Sequence, residues 1–492
     1  MNLNHRRSTF KYQFLRENLS MPPSIQTVLD SVAKRVVPSE AERKRMSQLA
    51  ETLKGKVQST LDNSGFGGKA SIQGSYARDT WLSGEADLDI FASFPPSMER
   101  HEWTDRVLPA IRKGIDAKTT DRYAEHPYLE FHFDGIRVNV VPCYAVEKGQ
   151  WKSATDRTPY HTEYMRKHLT PEMRLEARFL KRFMKGIRSY GAEIRVGGFS
   201  GMLVETLILH SRSFLETLKQ SSQWKPVIFL DLERPASNQD SRIREFGSPL
   251  VVIDPVDPNR NLAAAVRDDK LWGFVAASRE FQRSPGTRYF FPPESKHRTK
   301  AQFSKLIEHQ NRAIVAISFE HTRIVPDVLW GQLLKLERSL LDLMVRQDFR
   351  PVRSTVWSDE GRSSTVLVEL DSSTLPGVQI RQGPPVSKPD DSQGFLDRHL
   401  NAKDTVRGPW VEDGRWVVDK KRRLLTIEQL VRAALTDRKL GLAVPEQLDR
   451  SFHRNVKVLE NRKILTLLGR EGFDQALSEF LAAKPTWLKT HH

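Results

Sequence analysis

Gly74-Ser75-Tyr76-Ala77-Arg78-Asp79-Thr80-Trp81-Leu82-Ser83-Gly84-Glu85-Ala86-Asp87-Leu88-Asp89-Ile90-Phe91 joins a phosphate-sized loop to two carboxylates on one strand. The short apolar run ending Ser71-Ile72-Gln73 reads as a strand, and Gly74-Ser75 follow where it gives way to a helical turn. Backbone N–H groups and a hydroxyl offered at such a point form a seat for an anion. Arg78, three residues beyond Ser75, faces the same anion. After the Ser83-Gly84 break the chain turns extended again, and a period of two puts Asp87 and Asp89 on one face with Leu88 and Ile90 on the other. Two carboxylates so close do not both stay ionised comfortably unless a cation lies between them. A hard divalent ion with oxygen ligands, most simply Mg²⁺, is the expected occupant, shared with a triphosphate.

An Asp-x-Asp alone is a common solvated turn or strand edge. Preceded by Gly-Ser and a basic residue at a helical offset, and set inside an apolar strand, it resembles the polymerase-beta-like nucleotidyltransferases. The longer string from Gly74 to Leu82, with Arg78, Thr80 and Trp81, resembles the archaeal-type (class I) CCA-adding enzymes, which are tRNA nucleotidyltransferases. The resemblance is continuous from about Ile72 to Arg260 and weaker to about Arg423, including Gly383-Pro384 and Gly414-Arg415-Trp416. It implies an α+β multidomain chain: a nucleotidyltransferase head with a mixed sheet and helices, a helical central domain, a small α/β RNA-binding body and an α+β tail, enclosing a basic cleft. The boundaries expected are a basic arm at 1–22, the head at 23–150, the central domain at 151–285, the body at 286–383 and the tail at 384–492.

The whole chain agrees with several domains, since 492 residues exceed one core at ~100 to 200 residues per domain. A formal charge of +16 calls for a strongly anionic partner, nucleic acid before membrane surface. Cys143 is the sole cysteine, which excludes an internal disulfide framework and a cysteine-rich zinc site and fits a reducing compartment. The first twenty residues are basic and polar, unlike a secretory signal, and no run approaches the ~18 apolar residues of a membrane span. The expected location is cytoplasmic, with tRNA, through its acceptor stem and T arm, as the partner implied by the resemblance. A homodimer stays open.

In order along the chain, Pro22-Pro23 open a helix to about Val37, and Ser39 with Glu42 forms a capping box for a second. Met46, Leu49, Leu53, Val57 and Leu61 give it one apolar stripe. A helix is expected over 102–118, then two strands joined by Asp134-Gly135, a strong hairpin signal. The second strand carries Arg137-Val138-Asn139-Val140-Val141-Pro142-Cys143-Tyr144. The resemblance implies a third metal-binding Asp where this chain has Asn139. Three explanations are open: natural loss of activity, a deliberate Asp-to-Asn change, or a carboxylate supplied from elsewhere. For the last, a two-residue turn at Asp134-Gly135 sets Glu130 opposite Asn139, within cross-strand reach of the same ion.

Further residues take roles only through the resemblance. Gly74, Ser75, Arg78, Lys181 and Tyr190 would hold the triphosphate, while Thr158, His161 and Arg260 would line the nucleotide pocket, Arg260 also nearing the RNA. Asp87, Asp89 and the residue at 139 would hold two Mg²⁺ ions while a tRNA 3′-hydroxyl attacks the α-phosphate of CTP or ATP. From the residues alone, Lys181 reads equally as a solvated helical charge, and His161 as a core histidine bonded to backbone. Asp254 and Asp257, flanked by prolines, read as turn formers. A helix is expected over 171–187, an apolar helix over 199–209, and a polar loop over 233–249. The body reads as strand, long amphipathic helix and two strands (313–319, 328–347, 351–357, 364–370), followed by a polar linker at 384–394. In the tail, Arg407, Trp410, Arg415, Trp416, Lys420 and Lys421 interleave aromatic and basic residues, as stacking plus phosphate contact requires, or as a strand hairpin with tryptophan in its core. Helices over 426–439 and 456–483 close the chain. Alternatives to tRNA extension are another RNA substrate, a signalling oligonucleotide, or tRNA binding without catalysis.

Overall fold

The computed structural model describes residues 23–488 apart from 116, 124–126, 235–238 and 294–297, so the basic arm expected at 1–22 lies outside the described residues. The described residues form two compact units, one up to 293 together with 485–488, the other from 298 to 484. In the first unit, α1 (Pro23–Val36) buries Ile25, Leu29, Val32 and Val36, but against the helical core rather than in the head where sequence reading put it. Helix α2 (Glu40–Asn63) starts at Ser39, whose Oγ accepts the Glu42 N–H at 3.2 Å. The reciprocal half of the expected capping box is absent because the Glu42 carboxylate accepts from Ser83 Oγ (2.8 Å) and Gly84 N (2.7 Å), the donors left open at the break before the carboxylate strand.

The expected stripe of α2 is buried and packs on a five-stranded mixed sheet. Strand β1 (Lys69–Gln73) leads through a single helical turn, α3 (Gly74–Ala77), to β2 (Asp87–Phe94). A short helix (Arg100–Glu102) and a π-helical turn (Trp103–Val107) run into α4 (Leu108–Ile115). Then come β3 (Thr119–Tyr123), an additional strand that sequence reading missed, β4 (Pro127–Phe133) and β5 (Ile136–Tyr144). The order is β1-β2-β5-β4-β3, with β2 and β5 parallel. Asp134 and Gly135 take positive φ (52° and 76°), as a two-residue hairpin turn with the right twist demands. Phe133 therefore faces Ile136, and Glu130 faces Asn139, as counted from the sequence.

The central helices are α5 (Arg157–His168), α6 (Pro171–Gly186), α7 (Gly201–Ser211), α8 (Phe214–Ser221), α9 (Gln239–Phe246) and α10 (Asp268–Arg283), with β6 (Ile228–Leu230) pairing parallel to β7 (Leu250–Val252). Helix α9 corrects the loop expected over 233–249. It buries none of its residues, so no apolar stripe betrays it. Phe183 is the hub of this core, in ring contact with Phe214, Phe274, Phe281, Tyr289 and Phe290, and Trp487 stacks on Tyr289.

The second unit holds α11 (Lys300–His309), β8 (Ala313–Glu320), α12 (Pro326–Arg346), β9 (Pro351–Ser358), β10 (Ser363–Leu370), β11 (Val378–Pro385), α13 (Pro389–His399), β12 (Thr405–Glu412), β13 (Arg415–Lys421), α14 (Ile427–Thr436), α15 (Glu446–Asn455), β14 (Lys457–Glu460) and α16 (Phe473–Ala482). The linker expected at 384–394 is instead the end of β11 and the start of α13, whose Pro389 sits in the first helical turn where its missing N–H costs nothing. The helix expected over 456–483 is β14, a 3-10 stretch (Asn461–Leu467) and α16. Strand β14 pairs with β8 in a sheet ordered β14-β8-β10-β9, so a strand from the last part of the chain completes a sheet begun at 313. Among the described residues no helix is long and apolar enough to cross a membrane.

Candidate active site

Alternation on β2 and β5 buries Leu88, Ile90, Val138 and Val140 beneath the sheet and turns Asp87, Asp89, Arg137 and Asn139 to its other face. A row crosses four strands: Gln73 faces Asp89, Asp89 faces Asn139, and Asn139 faces Glu130. Asn139 Nδ2 donates to Asp89 Oδ1 at 2.9 Å. Burial pushes the Asp89 carboxyl above the usual range; the Asn139 hydrogen bond and the charges of Arg78 and Arg137 oppose it, while Asp87 adds to it. Gly74 fits tightly here, with φ +73° and no room for a side chain: a Cβ would lie 2.0 Å from Asp89 Oδ2. Gly74→Ala must therefore strain the turn and move the carboxylate. An Å-scale misplacement costs about 100-fold in rate, and nucleotide incorporation by the folded variant should fall by at least that. Retained activity would separate Asp89 from the chemistry.

Beyond that turn lies the cationic cluster. Arg78 is buried and its Nε donates to Glu205 Oε2 at 2.6 Å, while Thr80 Oγ1 donates to the other oxygen. Lys181 is buried as well, donates to the Thr80 carbonyl at 3.1 Å and lies over the Tyr190 ring at 5.8 Å. The solvated-charge reading of Lys181 is thus overturned by its burial. Burial lowers its pKa to about 8, helped by Arg78, Lys185 and Arg178 and resisted by Glu205. Burial likewise pushes the Tyr190 hydroxyl up. The two clusters are coupled electrically: Arg78 acts on Asp89, and Asp87 on Tyr190.

A third cluster joins His161, Asp254 and Arg260. His161 Nε2 lies 2.8 Å from Asp254 Oδ2, and Arg260 Nη1 donates to the same oxygen at 3.1 Å. His161 is buried on a carboxylate, not on backbone. Asp254 does form the expected turn, accepting from the Val256 N–H at 2.9 Å, but it is also the fully buried partner of the His161 ring and the Arg260 guanidinium. Burial would raise its carboxyl; His161, the Val256 N–H and Arg260 outweigh that and hold it below the usual range. Asp257 pairs with Arg157 at 2.6 Å. Thr158, one residue beyond Arg157, is half-buried at the start of α5.

Residues 50–161 match the family described as "Nucleotidyltransferase domain", 175–291 "tRNA nucleotidyltransferase, second domain", and 310–458 "CCA-adding enzyme, C-terminal domain". The chain is 35% identical over 458 residues to the CCA-adding enzyme of Methanosarcina acetivorans, covering 92% of this chain and 97% of that one. To the CCA-adding enzyme of Sulfurisphaera tokodaii it is 33% identical over 467 residues, 94% of this chain and all of that one. The chain belongs to the CCA-adding enzyme family. A solved structure titled "Structure of E. coli MS115-1 CdnC + ATP" is similar at 16% identity and a TM-score of 0.42, covering 54% of this chain and 94% of that one, too distant to bear on function.

In this CCA-adding enzyme family member, Asn139 Oδ1 and Gln73 Oε1 are buried and accept no hydrogen bond from the described residues. Two unpaired oxygens flanking Asp89 in one cross-strand row form an oxygen-only donor set, which fits a hard divalent cation. Among the described residues no three or more His, Cys, Asp or Glu side chains gather into a metal cluster. Glu130 stands in the expected register, yet its Oε1 is taken by Arg122 Nε (3.0 Å) and Nη2 (2.9 Å), so it does not complete a triad as the structure stands. Sequence reading missed Glu205 and Arg137. Glu205 had a signal, being the one charge in the apolar run 199–209. Arg137 forks onto Asp87, with Nε at 2.9 Å from Oδ1 and Nη2 on Oδ2, and nothing in its own stretch singled it out.

The second unit gathers the basic and aromatic residues of 407–421 on the sheet β11-β13-β12. Arg407 pairs with Asp419 at 2.7 Å and lies over Trp410, Lys420 pairs with Asp404 at 2.7 Å, and Arg415 donates to the Gly383 carbonyl at 3.1 Å. Lys421 is exposed, and Trp410 and Trp416 are half-buried. The stretch is a hairpin, as the second reading expected, although its tryptophans are half-buried and not in a core.

Proposed function

We propose that this chain is a template-independent tRNA nucleotidyltransferase that adds CMP and AMP, from CTP and ATP, to the tRNA 3′ end. The observation that carries the reading is the Gly74 turn, which sets a carboxylate pair on one side and the Arg78–Lys181–Tyr190 cluster on the other. Arg78, Lys181, the Tyr190 hydroxyl, Ser75 and the N–H groups of the turn bind the triphosphate. Thr158, His161 and Arg260 orient the base, the latter two held by Asp254. Asp87, Asp89 and the amide oxygen of Asn139 would hold Mg²⁺, which would supply charge neutralisation at the α-phosphate and acidification of the attacking hydroxyl. The 3′ oxygen bonds to the α-phosphorus as the bond to the bridging oxygen breaks, releasing pyrophosphate. The net charge of +16 supports tRNA as partner, with the 407–421 sheet as one contact surface, and we place the reaction in the cytoplasm.

The test is incorporation of labelled CTP and ATP into tRNA lacking its 3′ end, with Mg²⁺ and then Mn²⁺. Incorporation dependent on tRNA supports the reading. A product made without RNA would replace it with oligonucleotide synthesis. Tight, salt-dependent tRNA binding with no incorporation in either metal would establish a binding paralogue, the reading that Asn139 favours.

Lys181 gives the reading a pH signature. Its pKa near 8 means that half the free protein lacks this charge at that pH. A triphosphate restores the charged form, pulling the value back toward about 10.4. CTP or ATP binding should therefore take up protons between these values, and affinity should fall as pH rises through about 8. Calorimetry in buffers of different ionisation enthalpy measures the uptake, and Lys181→Met should abolish it. Uptake unchanged in that variant would move the triphosphate elsewhere.

A further inference from the structure

Of the two carboxylates, Asp87 is the one already held in an ion pair. Its partner across the parallel β2/β5 ladder is Arg137, whose guanidinium bonds both carboxylate oxygens. An arginine cannot give up its charge in a protein, so a divalent cation at Asp87 must share the carboxylate with a fixed positive charge or displace it. Displacement has a destination. Arg137 Nη1 stands 4.0 Å from Glu130 Oε2, whereas the bonds of Arg122 go to Oε1. Closing that gap by about 1 Å makes a charged hydrogen bond. Arg137 is half exposed, so its side chain has room to move, while Glu130 is buried and fixed by Arg122.

We propose that Arg137 is a built-in competitor for the divalent cation at Asp87, and that Glu130 is the acceptor to which it transfers when the cation binds. Glu130 then acts on the cation through Arg137 and not as the missing third ligand. This rests on the reading of Asp87 and Asp89 as cation ligands. It also gives the position opposite Asn139 a role that does not require Glu130 to reach the ion: the carboxylate steadies the displaced guanidinium instead.

The experiment is a Mn²⁺ titration of the full chain without nucleotide, followed by calorimetry and by the loss of the free-ion paramagnetic resonance signal. Arg137→Gln should tighten Mn²⁺ binding about tenfold, the equivalent of one charged hydrogen bond released. Glu130→Gln alone should weaken it several-fold, yet have no effect in the Arg137→Gln background, because a residue acting only through Arg137 shows full coupling in the cycle. Unchanged or weaker binding in Arg137→Gln overturns the competitor. An equal loss from Glu130→Gln in both backgrounds overturns the transfer and makes Glu130 a ligand. Asp89→Asn separates the underlying reading: if Mn²⁺ binding survives that change intact, the cation site itself is misplaced and the proposal goes with it.

Discussion

Asn139→Asp should raise nucleotide incorporation by about 100- to 1000-fold, the range over which one well-placed charge-stabilising group changes a rate. The present amide offers its N–H to Asp89 at 2.9 Å and leaves its oxygen unpaired. A carboxylate in the same place loses that bond and sets a second negative charge against an Asp89 that burial already disfavours in its charged form. Without metal the variant should melt below the parent, and Mg²⁺ or Mn²⁺ should restore it, since only a cation relieves two adjacent carboxylates. Incorporation and thermal melts with and without chelator measure both effects. A variant no more active than the parent, with a melt indifferent to metal, would remove position 139 from the catalytic site.

Asp89→Ala should abolish incorporation, by about 1000-fold or more for loss of a metal-holding carboxylate, while leaving stability unchanged or higher. The sign follows from its raised pKa. The folded state holds the proton more tightly than the unfolded one, so stability is fullest below the unfolded value near 3.9 and falls as pH rises through the folded value. Ionising Asp89 is therefore a cost to folding, and alanine removes it. An active variant would discard the site, and an inactive but grossly unfolded one would show that Asp89 serves the fold.

The strands of the candidate site were legible because period-two alternation and an Asp-Gly turn fix both face and register, down to Glu130 opposite Asn139. Helix α9 was not, since none of its residues is buried and no periodicity marks it. Strand β14 was read as helix because four residues are too few to set a period, and its partner β8 lies about 140 residues earlier. The site was legible in its motif residues but not in what holds them. Arg78 announces itself by type and spacing and Lys181 only through the family resemblance, whereas Glu205 and the Arg137 fork depend on which strands and helices meet, and pairing across elements is not written in any local window.

The pairing of Arg78 with Glu205 spans 127 positions of the chain. Long separations are slow to close and close late. During synthesis from the N-terminus, the sheet can therefore be fully made while Arg78 still lacks its ion-pair partner Glu205, and it must wait for α7 to be delivered. A fragment ending near residue 150 would strand Arg78 in the same way. The head should thus behave as a partly assembled intermediate rather than an independent folding unit, with the Gly74–Ala77 turn among the last parts to settle.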